Sequence, residues 1–100
     1  MFVVIVNHWC KPGKADVARA RIDKNGEDMV AAKGFLYRYR MENPAEPDKV
    51  STVTAWTEEA HYRVFKDWQR AEAAKAPSPG ESPYEKVVNE TFDVKKEHRA

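Results

Sequence analysis

The stretch Phe2-Val3-Val4-Ile5-Val6-Asn7-His8-Trp9-Cys10 constrains this chain more than any other. It is rich in β-branched and aromatic residues and stops at Lys11-Pro12-Gly13, a turn signal, so it reads as a strand. Alternation puts Val3, Ile5, Asn7 and Trp9 on one face and Val4, Val6, His8 and Cys10 on the other. Both faces are apolar over the first half, so both need cover. Both turn polar and aromatic over the second half, which suits the wall of a pocket.

The chain then alternates between two periods. Residues Lys14 to Ala32 carry Ala15, Ala18, Ile22 and Met29 on one helical stripe, with Asn25 and Gly26 at its edges. Asn25-Gly26 reads as a break or kink; the small residues of the stripe also leave room for a ligand. Gly34 closes this helix in a left-handed conformation. Phe35 to Met41 is a strand with Phe35, Tyr37, Tyr39 and Met41 on one face and Leu36, Arg38 and Arg40 on the other. The loop Asn43–Asp48 holds two prolines, and Val50 to Trp56 is a third strand. Thr57 is a suitable N-cap for a helix over Glu58 to Lys75, whose inner stripe is Ala60, His61, Val64, Phe65, Trp68 and Ala71. Ala76–Pro83 reads as a flexible linker. Tyr84 to Val94 is a last strand, with Val88, Phe92 and Val94 as its apolar face, and Lys95 to Ala100 is a charged tail.

Strand-helix-strand, twice, predicts an α+β fold of the ferredoxin-like βαββαβ type: an antiparallel four-stranded sheet with both helices on one face. Right-handed crossovers put the helices on the same side. The opposite face stays bare, and with Val4, Val6 and one side of the aromatic strand assigned to it, it is an apolar patch large enough to be an interface. The expectation is a homodimer, open sheet face to open sheet face.

Residues 1–94 are expected to form one domain and 95–100 the tail. A net charge of +1 with interspersed signs supplies no basic block, so neither nucleic acid nor an anionic membrane is an expected partner. No apolar run approaches the roughly 20 residues of a membrane span. The opening stretch is too short for a signal peptide and lacks its flanks. With a single cysteine, a cytoplasmic location is expected.

The element order, the Val3-Val4-Ile5-Val6 opening, the Lys11-Pro12-Gly13-Lys14 turn, Lys33-Gly34-Phe35 and the Thr54-Ala55-Trp56-Thr57-Glu58-Glu59-Ala60 junction together resemble the antibiotic biosynthesis monooxygenase family. The resemblance runs from Phe2 to about Trp68. It implies a dimeric α+β barrel with a pocket in each subunit, between helices and sheet. It also implies oxidation of an aromatic, anthrone- or quinol-like small molecule with O2 and without metal or organic cofactor. One branch of the family binds and degrades haem, using a Trp and a later His of the second helix. Here Phe65 falls near the Trp position and Lys75 near the ligand position, and no His follows His61 until the tail. A haem-binding protein and a non-catalytic dimeric binding domain are the alternative readings.

In the family an Asn of the first strand lines the pocket, which implies Asn7, assigned to the helix side, as a catalytic residue. His61 is the second: a neutral imidazole can take a phenolic proton at neutral pH. Trp9, Asn25, Phe65 and Trp68 are the expected substrate contacts, the rings by stacking on a flat ligand. His8 is assigned to the dimer side as a structural residue, and Cys10 as a small buried one. His8 and His61 are expected on opposite sheet faces, so no metal site is expected.

Overall fold

The computed structural model describes residues 1–76 and 80–100. Its elements are β1 (Phe2–Cys10), α1 (Ala15–Val30), β2 (Phe35–Glu42), β3 (Lys49–Trp56), α2 (Glu59–Lys75) and β4 (Tyr84–Asp93). The strands form one sheet in the order β2-β3-β1-β4, every neighbouring pair antiparallel. Both helices cover one face of it, in the expected ferredoxin-like arrangement. Of the expected linker, residues 77–79 lie outside the described residues. At its end Pro83 is fully buried, and its carbonyl accepts the Lys11 N–H at 2.8 Å.

Two apolar clusters join the layers. Phe2, Val4 and Trp56 of the sheet meet Met29 of α1 and Phe65 of α2. Cys10 and Val50 meet Ala18 and Ile22 of α1. Each fully buried Val, Ile or Phe contributes about 1.5–3 kcal/mol. The register pairs Phe2 with Trp56, Val4 with Thr54, Val6 with Thr52 and His8 with Val50. The helix-facing set of β1 is therefore Phe2, Val4, Val6, His8 and Cys10, the reverse of the expected assignment. The β-alternation of a strand that is apolar on both sides does not choose a side. Its ends do: Phe2 and Cys10 share a face and each closes one cluster. Val3, Ile5, Asn7 and Trp9 look out from the open face.

Three further expectations are corrected. Helix α1 is unbroken at Asn25-Gly26. The space at Gly26 belongs to Arg38, whose Cδ would lie 3.3 Å from a Cβ there. The cap of α2 is Glu58 rather than Thr57, and no side chain caps it; the Thr57 N–H instead donates to the Gly34 carbonyl at 2.8 Å. Helix α2 is also rotated from the expected stripe: Phe65 is buried and Tyr62 packs beside it, whereas Val64 is 67% and Trp68 47% exposed.

A bulge in β2 re-aims its side chains. Phe35 pairs with Trp56 and Tyr37 with Ala55, so Leu36 is the extra residue. Phe35 thereby joins the helix-side core, its ring edge-on to Trp56 at 5.7 Å, while Tyr37 and Tyr39 lie on the open face. Arg38, pairing with Thr54, comes to the helix side.

Candidate functional site

Two depressions lie on the helix side. An inner cavity of about 120 Å³ is enclosed by the sheet, α1 and α2. An outer groove of about 570 Å³ runs between the end of α1 and the first half of α2. The six residues expected to bind or transform substrate are divided among three places. Asn25 lines the inner cavity. His61, Phe65 and Trp68 line the outer groove. Asn7 and Trp9 are on the other side of the sheet, because the parity of β1 is reversed. There the Ser51 hydroxyl donates to Asn7 Oδ1 at 2.6 Å, and the Lys49 and Lys86 ammonium groups lie 5.3 and 5.1 Å from the Trp9 ring. His61 packs against Gly34 so closely that a Cβ there would lie 2.3 Å from its ring. Its Nε2 is 3.4 Å from Glu58 Oε1.

The inner cavity holds the groups suited to chemistry, and His8 is the first. Its Nδ1 lies 2.9 Å from the Val50 carbonyl oxygen. A carbonyl only accepts, so Nδ1 carries the proton and Nε2 presents a lone pair. Burial holds this imidazole below its ordinary 6.5; the Val50 hydrogen bond opposes that, and the Arg38 guanidinium adds to the lowering. His8 is thus a neutral base of defined tautomer at neutral pH, its ring 4.9 Å from that of Tyr84.

Arg38 and Lys66 are the charged residues of the cavity wall, and both are cations. Among the described residues the hydrogen-bond acceptors of Arg38 are neutral: Met29 Sδ at 3.2 Å, Thr54 Oγ1 at 3.3 Å and the Ile22 carbonyl at 3.4 Å. Burial lowers its pKa, yet a guanidinium stays protonated. Lys66 donates to Gln69 at 2.8 Å, and Gln69 to Asn25 at 3.1 Å, a chain that ties α2 to α1. Burial lowers the Lys66 pKa first, then the neighbouring charges of Arg70 and Arg38. Two buried polar atoms of the same wall, Thr52 Oγ1 and Trp56 Nε1, have no hydrogen-bond partner among the described residues. Leaving such groups unpaired costs about 1–3 kcal/mol each.

Sequence reasoning assigned His8 to the wrong face and passed over Arg38, Lys66 and Trp56. The available signal was Phe2, whose parity His8 shares, and Gly26, a helix glycine that makes room for a long side chain. His8 and His61 prove to be on the same side of the sheet but in separate depressions. Among the described residues no three His, Cys, Asp or Glu side chains gather as a metal site, and no helix is long and apolar enough to cross a membrane.

Solved structures of known proteins share this fold. A mutant of MhuD with two manganese protoporphyrin IX bound per active site superposes with a TM-score of 0.78 at 16% identity, covering 100% of both chains. PA3566 from Pseudomonas aeruginosa gives 0.79 at 12% identity, over 95% of this chain and 94% of that one. A mutant of SnoaB, a cofactor-independent oxygenase from Streptomyces nogalater, gives 0.71 at 13% identity, over 96% and 95%. At these identities the likeness is one of fold. No curated protein sequence matches the chain. The family model for antibiotic biosynthesis monooxygenase matches residues 1–77, and the chain therefore belongs to the antibiotic biosynthesis monooxygenase family.

Proposed function

We propose that this protein is a monooxygenase that oxidises an aromatic, quinol-like small molecule with O2 in the cavity between its helices and sheet, with His8 as the proton acceptor. The observation that carries the reading is the hydrogen bond from His8 Nδ1 to the Val50 carbonyl, which leaves Nε2 free to act as a base. In this scheme Nε2 takes the proton of a ring hydroxyl. The resulting oxyanion is electron-rich enough to pass one electron to O2. The ring radical and superoxide combine as a carbon-bound peroxide anion, which takes from His8 the proton that His8 had removed. The O–O bond of the resulting hydroperoxide then breaks: one oxygen stays on carbon as a carbonyl, and the other leaves as water, its second hydrogen being the one lost from that same ring carbon. Val4, Val6 and the Trp56 ring form the apolar part of the wall, against which the substrate ring would pack. The proposed assembly is a homodimer through the open sheet face, and the proposed place of action is the cytoplasm.

Haem does not fit this site. The cavity is about 120 Å³, against roughly 300–1,000 Å³ for pockets that take drug-sized ligands. From Phe65 to Lys75 helix α2 offers no imidazole.

The test is O2 uptake with a panel of single-ring quinols. His8→Gln is expected to lower kcat by about 100-fold or more, the usual contribution of a positioned base. Asn7→Ala and His61→Ala are compared in parallel. If His8→Gln retains full activity while His61→Ala loses it, the chemistry belongs to the outer groove and the reading fails.

A further inference from the structure

We infer that the inner cavity selects a single-ring organic anion, with its carboxylate held by Arg38 and Lys66. The inference deepens the reading of this cavity as the substrate site and rests on it. A buried cation is ordinarily matched by a carboxylate. Arg38 has none: among the described residues no carboxylate pairs with it, and the nearby Asp23 is taken by Arg40 at 3.0 Å. Its present contacts are a thioether, a hydroxyl and one carbonyl, all neutral; the two oxygens lie at 3.3 and 3.4 Å, longer than the roughly 2.7–2.9 Å of a charge-assisted bond. A guanidinium fork is built to take a carboxylate by two parallel bonds. Lys66 lines the same cavity and is close enough to feel the charge of Arg38. Two like charges share one wall, and among the described residues no carboxylate lines it.

The rest of the cavity says what the anion is attached to. The Trp56 indole N–H and the Thr52 hydroxyl are buried, unpartnered and on the wall. They supply hydrogen bonds to a ligand with further oxygens. Val4, Val6 and the rings of Trp56 and Tyr62 supply an apolar surface, which a bare inorganic oxyanion would leave unfilled. The volume, about 120 Å³, is below the ~150 Å³ of a cavity that takes one benzene, which limits the ligand to a single ring. One ring with a carboxylate toward Arg38 and Lys66, a hydroxyl toward His8 and a second ring oxygen offers a partner to each kind of group on this wall.

The experiment compares 2,5-dihydroxybenzoate with hydroquinone, the same quinol without the carboxylate, by calorimetry under nitrogen. The acid is expected to bind at least 10-fold more tightly. Arg38→Gln is expected to abolish that preference and Lys66→Gln to reduce it several-fold, while hydroquinone binding barely changes. Equal affinities in the unmodified protein overturn the inference, as does a preference that survives in both variants. Displacement of the acid by inorganic phosphate at matching concentration overturns the single-ring part. If Arg38→Gln does not fold, Lys66→Gln decides by itself, and an unchanged preference there is fatal. No O2 is present, so a failed oxidation reading leaves this result standing, and tight acid binding without O2 uptake removes only the chemistry.

Discussion

At the scale of single residues, the molecule turns on what a neighbour's backbone demands. His8 is a base because the Val50 carbonyl accepts from its Nδ1. Native His8 binds its proton more weakly than an exposed histidine. Between the lowered native pKa and the ordinary 6.5, the unfolded chain therefore holds more protons, and stability falls as pH drops through that window. His8→Gln is expected to remove this part of the acid destabilisation, seen as a flatter midpoint-against-pH curve in urea unfolding. The acid limb of kcat/KM should likewise lie below 6.5. Gly34 is the second such residue. Its φ of +82° is left-handed, and a Cβ there would lie 2.3 Å from the His61 ring. Gly34→Ala should cost ~1–2 kcal/mol for the backbone and another ~1–3 kcal/mol for the overlap. In a thermodynamic cycle His61→Ala should relieve only the ring's share of the overlap, because the His61 Cβ, 2.6 Å from the added Cβ, remains. Cys10 is buried at 3% exposure and burial raises its thiol, so it should react with alkylating reagents only as the chain unfolds.

At the scale of elements, the core is organised by the end of β3 more than by the helix stripes. Trp56 is fully buried and lies within about 6 Å, ring to ring, of Phe35, Tyr62 and Phe65. Trp56→Ala is expected to cost ~3–5 kcal/mol, measured by equilibrium denaturation. Trp68, on the outer side of α2 and touching Phe65 at 5.6 Å, should cost about 1 kcal/mol by the same measure. The helical period puts Trp68 on the inner stripe of α2, yet Trp68 is 47% exposed and Trp56, at a strand end, is the buried ring. The stripe misleads because α2 must present Tyr62 and Phe65 to the sheet, and Val64 and Trp68 are carried to the flank. The β2 bulge does the same for Arg38. A strict two-residue alternation puts Phe35 with Tyr37, and one extra residue, Leu36, separates them. Surface ion pairs such as Arg19–Glu42 and Arg63–Glu59 decorate these elements and decide little about them.

At the scale of the whole molecule, the chain is a slab of 39 × 38 × 19 Å. Its radius of gyration is 14.4 Å, against ~13 Å for a typical compact chain of this length. One layer of helices on one sheet accounts for that thinness. The uncovered face carries Val3, Ile5, Tyr37, Tyr39, Met41 and Phe92, with Tyr39 60% exposed. A stable interface on such a face would bury ~800 Å² per partner. The proposed homodimer predicts a species of twice the chain mass in sedimentation velocity at micromolar concentration, and Ile5→Lys should shift it to monomer. A monomer in the unmodified protein would leave the apolar face without its proposed cover.

The order of strands and helices, the need for cover on both sides of β1 and the family resemblance were all legible in the residues themselves. They depend on local periodicity and turn chemistry, which neighbouring residues determine among themselves. The side of the sheet on which His8 or Asn7 lies, and the meeting of Arg38, Lys66, Asn25 and Trp56 around one cavity, belong to the tertiary structure. A strand that is apolar on both faces is neutral about which one the helices take. That choice was made by the distant partners Trp56, Val50, Ile22 and Phe65, and a single-residue bulge in β2 then turned Arg38 inward.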